Sequence, residues 1–289
     1  MPLYSALQAG CIGVEADVWL FDDELYVGHT TSSLTEHLTL QSMYINPLVT
    51  ILERQNPTIK FNQGGDNPAH GVFDTDPAQT LILLIDFKTA GPATWDAVTR
   101  QLAPLRDRGY LTHFNGDEVI QGPVTVVGTG NTPFNLVIAN TTYRDIFFDA
   151  PLDKLVEAEQ PGNNPQLDAA LFPGADLGQG QSGMPTTVTA STFNASNSFY
   201  ASVSFKKSIG HPWPFHFTQR QMDRIRSQVR VAHQHGLKVR YWALPSWPRS
   251  LRNHIWRVLA QEGVDILNVD DLVGATKGDW NTGVFDWWP

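Results

Sequence analysis

The chain has 289 residues, 42% of them hydrophobic, one cysteine and a formal net charge of −9 at pH 7. This length allows a sizeable buried core in one large domain or two small ones, and the lone Cys11 excludes an internal disulfide. The acidic balance argues against a nucleic-acid-binding protein, and no apolar run reaches the roughly 18 residues that cross a bilayer.

Seven short apolar runs along the chain are predicted to be β-strands. They are residues 13–20, 81–88, 122–128, 144–149, 199–205, 237–243 and 264–269. Several are apolar on both faces, which is typical of parallel strands covered on both sides. Amphipathic stretches between them predict helices, most clearly over residues 219–235 and 249–262. This alternation predicts an α/β fold, and seven strands are one fewer than a TIM-type (β/α)8 barrel contains.

Two segments interrupt the alternation, residues 57–79 and 160–187. Both are rich in Gly, Pro, Asn and Gln and contain few large apolar residues. We interpret them as long loops rather than linkers between domains, and so predict a single domain over residues 1–289. Residues 275–289 form an aromatic tail with three tryptophans.

The stretch "GVEADVWLFDDELYVGHT" places two acids in an apolar strand. Side chains alternate along a strand, so Glu15 and Asp17 share one face, about 7 Å apart. The stretch "LLIDFKT" likewise places Asp86 and Lys88 on one face of a second apolar strand. Unpaired carboxylates inside a sheet or barrel would be costly, and three of them suit a hard divalent ion, Mg²⁺ or Ca²⁺. Solvent-facing acids are the alternative. His29, just past the first strand, is either a surface residue or a proton-transfer group.

The segments that carry these acids resemble a known family. "PLYSALQAGCIGVEADVWLFDDELYVGH", "LIDFK", "VRYWALP" and "ILNVDDL" are similar to the glycerophosphodiester phosphodiesterase-like group. These are phospholipase-C-like phosphodiesterases built on a TIM barrel. Within the group, the sequence looks most like the fungal "altered inheritance of mitochondria protein 6" family. The resemblance covers nearly the whole chain, and its most specific motif is Glu-x-Asp followed by the histidine.

The resemblance implies roles for particular residues. Glu15, Asp17 and Asp86 would bind Mg²⁺ or Ca²⁺. His29 would be one of two acid/base histidines, and Lys88 would contact the phosphate. The metal would then lie at the carboxyl-terminal mouth of the barrel, where enzymes of this fold hold their active sites.

Farther along the chain, Trp242 matches a tryptophan that lines the substrate pocket in this family. Only one of its neighbours, Arg240 or Tyr241, can share its face of the strand. Asn268 and Asp270 are expected to point inward at the end of the last strand.

The chain departs from the family at its beginning. The first catalytic histidine of the family ends a strand that would precede Met1, so we expect a barrel lacking its first strand and weak or no activity. A late start of the sequence and a catalytically inactive protein are both open. His211 or His216 could replace the missing histidine, or could belong to a loop that only packs.

The sequence therefore predicts a metal-dependent phosphoric diester hydrolase acting on a glycerophosphodiester or a phospholipid. The alternative is an inactive barrel that binds a phospholipid or a protein. The aromatic tail resembles either a plug at the bottom of the barrel or a patch for peripheral membrane contact. No signal peptide is recognised, but an incomplete N-terminus would leave a secreted or membrane-associated protein open. Nothing indicates an obligate oligomer.

Overall fold

The computed structural model describes residues 2–57, 69–159, 182–212 and 216–276. Residues 58–68 of the predicted loop over 57–79, residues 160–181 of the predicted loop over 160–187, and residues 277–289 of the predicted tail over 275–289 lie outside these ranges. The chain divides into two compact units, one of residues 1–148 with 180–184 and one of residues 149–179 with 185–289. The single domain predicted from the sequence stays a prediction.

The first unit alternates helices with mainly parallel strands. Its elements are α1 (Pro2–Ala9), β1 (Gly13–Phe21), β2 (Glu24–Val27), a 3₁₀ turn (Thr31–Ser33), a π-helical segment (Gln41–Ile45), α2 (Asn46–Gln55), β3 (Leu81–Phe87), α3 (Gly91–Gln101), α4 (Ala103–Arg106), β4 (His113–Phe114), β5 (Val119–Ile120), β6 (Val124–Gly130) and α5 (Phe134–Val137). Strand β7 (Ile146–Pro151) begins in this unit and ends in the second.

Strand β3 lies at the centre of the sheet of the first unit. It pairs in parallel with β1 on one side and with β6 on the other, and β6 pairs in parallel with the start of β7. Strand β2 returns antiparallel along the end of β1 as a hairpin. Alternate residues of β1 and β3, among them Ala16, Val18, Leu83 and Ile85, are fully buried in one hydrophobic core. This burial fixes which face of each strand turns away from that core.

The second unit repeats the same alternation. It contains α6 (Leu152–Glu159), β8 (Ser198–Ser204), α7 (Phe205–Ser208), α8 (Gln219–Gln234), β9 (Lys238–Trp242), α9 (Arg249–Gln261), β10 (Ile266–Leu267) and α10 (Leu272–Thr276). Strands β8, β9 and β10 pair in parallel. A capping box between Thr218 and Gln221 starts α8, where the sequence predicts a helix start.

The mixed α/β class is confirmed, and all seven predicted strands are present as β1, β3, β6, β7, β8, β9 and β10. The prediction omitted β2, because its four residues follow β1 after only a two-residue turn and read as part of a loop. That turn consists of Asp22 and Asp23, both with positive φ. The strand pairings within the two units do not confirm a closed (β/α)8 barrel. No helix in the described ranges is both long and apolar enough to span a membrane.

Candidate metal centre

Strands β1 and β3 bring the predicted carboxylates together. Asp17 lies directly opposite Asp86 in the parallel register, and Glu15 lies two residues earlier on the same face of β1. The neighbouring side chains on the other face are buried in the core, so the acids have to project from the opposite side of the sheet.

Carboxylate oxygens of Glu15, Asp17 and Asp86 all lie within 4.8 Å of one another. The sequence predicted three acids converging in the interior, and the structure differs in their burial: Glu15 is exposed, while Asp17 and Asp86 are half-buried. Asp86 is next to last in β3, whereas Glu15 is the third of the nine residues of β1, so the face of the sheet that carries the acids is open to solvent along β1 and not only at a strand end. An accessible cluster of carboxylates can exchange an ion with solvent.

Lys88 contacts two of the three acids. Its Nζ lies 2.9 Å from Asp17 Oδ1 and 2.5 Å from Asp86 Oδ2. Burial disfavours the charged ammonium, but the hydrogen bonds and charges of Asp86 and Asp17 outweigh this effect, so the pKa of Lys88 is raised. Lys88 therefore stays protonated and neutralises one of three negative charges.

The donor set fits a hard divalent cation. Carboxylate oxygens are the ligands that Mg²⁺ and Ca²⁺ prefer, and three of them converge here on one small volume. Taken by themselves, three ionised carboxylates and the charged Lys88 carry a net charge of −2, which one divalent ion would balance. The oxygen donors and their net negative charge therefore both suit a divalent cation.

His29 follows β2 and lies beside the acids. Its Nδ1 is 3.3 Å from Asp17 Oδ2, and its side chain is 88% exposed. The hairpin brings it there, since the Gly28 amide donates to the Asp17 carbonyl oxygen and the Trp19 indole donates to the Gly28 carbonyl oxygen. The imidazole is thus close to a carboxylate and open to a ligand.

Tyr44 supports the centre from behind, and the sequence analysis missed it. It belongs to the π-helical segment, is almost fully buried, and donates its hydroxyl to the main-chain oxygen of Glu15 at 2.8 Å. Burial, followed by the charges of Asp17 and Glu15, raises the pKa of Tyr44 to about 12. No motif singles out this tyrosine, because only the packing of the π-helical segment on β1 gives it a role.

Trp242 lies in the second unit, at the end of β9, and is half-buried. Within the described part of the chain its indole nitrogen is buried without a hydrogen-bond partner. Arg240 shares its face of β9 and donates to Asn268 Oδ1 at 2.9 Å, whereas Tyr241 lies on the other face and donates to Gln228. Trp242 as a substrate-binding residue stays a prediction.

The other residues named from sequence are also placed in the second unit. Asp270, His211 and His216 are exposed, and Arg240 also forms an ion pair with the buried Asp149 at 3.8 Å. The replacement of a catalytic histidine by His211 or His216 stays a prediction.

In this α/β chain, strands β1 and β3 and the β1–β2 hairpin bring together three carboxylates, a lysine and a histidine, groups that a phosphodiesterase site can use. The family comparison agrees: the AIM6-like phosphodiesterase domain matches residues 1–149. The chain belongs to this family.

Curated relatives carry the corresponding name. The altered inheritance of mitochondria protein 6 homolog of Arthroderma benhamiae is 42% identical over 274 residues, which are 94% of this chain and 76% of that protein. The altered inheritance of mitochondria protein 6 of Lachancea thermotolerans is 34% identical over 96% of this chain and 62% of its own length. That of Kluyveromyces lactis is 30% identical over 94% of this chain and 68% of its own length. No solved structure matches the chain.

Proposed function

We propose that the chain is a metal-dependent phosphoric diester hydrolase acting on a glycerophosphodiester or a phospholipid. The observation that carries the proposal is the convergence of Glu15, Asp17 and Asp86, with Lys88 and His29 in contact with them, in a chain of the AIM6-like phosphodiesterase family. The proposal includes the TIM-type (β/α)8 barrel that the sequence predicts.

The three carboxylates would hold one Mg²⁺ or Ca²⁺ ion. A bound divalent ion supplies positive charge for the phosphate oxygens of the substrate. Lys88 would contact the same phosphate as a second cation. Because its ammonium already lies against Asp17 and Asp86, it would meet the phosphate beside the ion.

His29 would move the proton. Its Nδ1 faces Asp17, which orients the ring, and the exposed side chain leaves Nε2 accessible to the attacking or leaving oxygen. Trp242 would be a substrate-binding residue, as the family resemblance implies.

A second candidate function is an inactive protein that binds a phospholipid or a partner protein. It is favoured by one observation: among the described histidines of the first unit, His29 is the one that is hydrogen-bonded to Asp17 of the metal centre. Acid/base catalysis on a phosphodiester uses two proton-transfer groups. Binding of a phospholipid or a partner protein needs no proton-transfer group, so one histidine at the centre is compatible with it.

The two functions are separated by activity and its dependence on His29. Release of the alcohol product should be measured with a glycerophosphodiester and with a lysophospholipid, in Mg²⁺, in Ca²⁺ and in EDTA. Metal-dependent turnover that falls about 10²–10⁴-fold in His29→Ala supports the hydrolase. The matched control is His37→Ala, an exposed loop histidine in the same unit, which should leave the rate unchanged. Metal binding without turnover of either substrate would support the binding protein instead.

A further inference from the structure

A glycine on the neighbouring strand lies against one of the three acids. Gly130 ends β6 and is opposite Phe87 in the register of β3 with β6, one residue beyond Asp86. Its φ is +63°, a left-handed conformation that residues with a side chain rarely adopt. Two properties therefore favour glycine here, the backbone conformation and the space around it.

The space is filled by the acid. A Cβ added at Gly130 would overlap Oδ1 of Asp86, and would lie 2.7 Å from the Phe87 carbonyl oxygen and 3.0 Å from the Phe87 nitrogen. Asp86 therefore occupies the volume that a side chain at position 130 would take. Its other oxygen, Oδ2, binds Lys88.

The turn that follows Gly130 is hydrogen-bonded to the backbone at the end of β3 and just beyond it. The Asn131 amide donates to the Phe87 carbonyl oxygen at 2.9 Å, and the Asn131 side chain donates to the Thr89 carbonyl oxygen at 3.3 Å. These two bonds attach the turn on both sides of Lys88. A side chain at position 130 would consequently displace the Asp86 carboxylate and would also press on the Phe87 backbone.

We propose that Gly130 is a positioning residue of the metal centre: the lack of a side chain there allows the Asp86 carboxylate to lie where it meets Glu15 and Asp17. The inference rests on the proposed function, since it assigns the purpose of this arrangement to ion binding. It adds a determinant of metal affinity that contributes no ligand atom of its own.

The test is calorimetric titration of the full chain with MgCl₂ and with CaCl₂. We expect Gly130→Ala to weaken binding about 10–100-fold, as loss of a group that orients a ligand typically does. The matched control is Gly109→Ala: Gly109 also has positive φ, +69°, but an added Cβ would meet nothing within 4 Å. Both variants carry backbone strain, so both should melt at a lower temperature, and only Gly130→Ala should lose metal affinity.

A second variant keeps the inference testable if Gly130→Ala does not fold. Gly130→Asn introduces the same Cβ, while asparagine tolerates positive φ better than alanine. Its Mg²⁺ affinity should fall as well. Affinity equal to that of Gly109→Ala in a folded Gly130 variant would overturn the role of Gly130 and leave the metal centre intact. Absence of any binding heat in the wild-type chain would instead overturn the metal centre and the inference with it.

Discussion

At the scale of single residues, the centre depends on the balance of charge between its acids and Lys88. Lys88 contacts Asp17 and Asp86, and both distances are those of direct ion pairs. A divalent ion bound by the same oxygens would have to share them with this ammonium. Lys88 therefore has two opposing effects in the proposed enzyme: it attracts the phosphate and it repels the ion.

Replacement of Lys88 by Gln separates these two effects. We expect Mg²⁺ affinity to rise about tenfold, equivalent to about 1.4 kcal/mol, because a competing charge is removed, while turnover of a phosphodiester falls. Calorimetric titration and the activity assay measure the two quantities on one preparation. Lys206→Gln, a change at an exposed lysine of the second unit, is the control. Weaker Mg²⁺ binding in Lys88→Gln would mean that the lysine organises the carboxylates rather than competing for them.

The hydroxyl of Tyr44 provides a separate prediction about stability. Tyr44→Phe removes the donor to the Glu15 carbonyl oxygen and leaves that acceptor without this bond. The free energy of unfolding should fall by about 1 kcal/mol, and denaturant unfolding followed by circular dichroism measures it. An unchanged midpoint would show that water replaces the hydroxyl at no cost.

At the scale of elements, a hairpin and a π-helical segment place His29 and Tyr44 beside the acids of β1, and a capping box fixes the start of α8. The β1–β2 hairpin returns His29 to the acids of β1 through a two-residue turn with positive φ. The π-helical segment brings Tyr44 behind the same strand, and π-helical turns are frequent at functional sites. In the second unit, α8 begins at a capping box and its buried face packs with β9.

The capping box of α8 can be tested directly. The Thr218 hydroxyl oxygen accepts a hydrogen bond from the backbone N–H of Gln221, and the side-chain oxygen of Gln221 accepts one from the backbone N–H of Thr218. Thr218→Ala should destabilise the protein by about 1 kcal/mol, whereas Thr218→Ser keeps the hydroxyl and should be close to wild type. Thermal unfolding of both variants gives the comparison. Equal losses in the two would indicate that the methyl group, not the hydrogen bond, matters at this position.

At the scale of the whole molecule, ion binding should be visible as stabilisation of the folded chain. A ligand that binds only the folded state adds about 2.7 kcal/mol of stability at a hundred times its dissociation constant. We expect Mg²⁺ at that level to raise the melting temperature by about 5 °C, and EDTA to reverse the shift. The triple variant Glu15→Gln, Asp17→Asn, Asp86→Asn should show no such response. A shift that persists in the triple variant would place the ion elsewhere.

The amino-acid sequence by itself determined the α/β class, the seven strands that carry the alternation, and the face of β1 that bears Glu15 and Asp17. These properties follow from the two-residue period of a strand and from which side chains are apolar, both of which are local. The same local pattern predicted Asp86 and Lys88 on one face of the strand predicted over residues 81–88. It could not predict the exposure of Glu15, because exposure depends on where the covering elements end.

Only the tertiary structure decided which atoms meet. The register that sets Asp17 opposite Asp86 joins residues 69 positions apart in the chain, and Tyr44 and Gly130 reach the acids from two further elements. No local pattern encodes these contacts, since each results from the packing of separate segments around the core. The carboxylates were therefore predictable from their strands, while the tyrosine behind them and the glycine beside them became visible only when the strands were assembled.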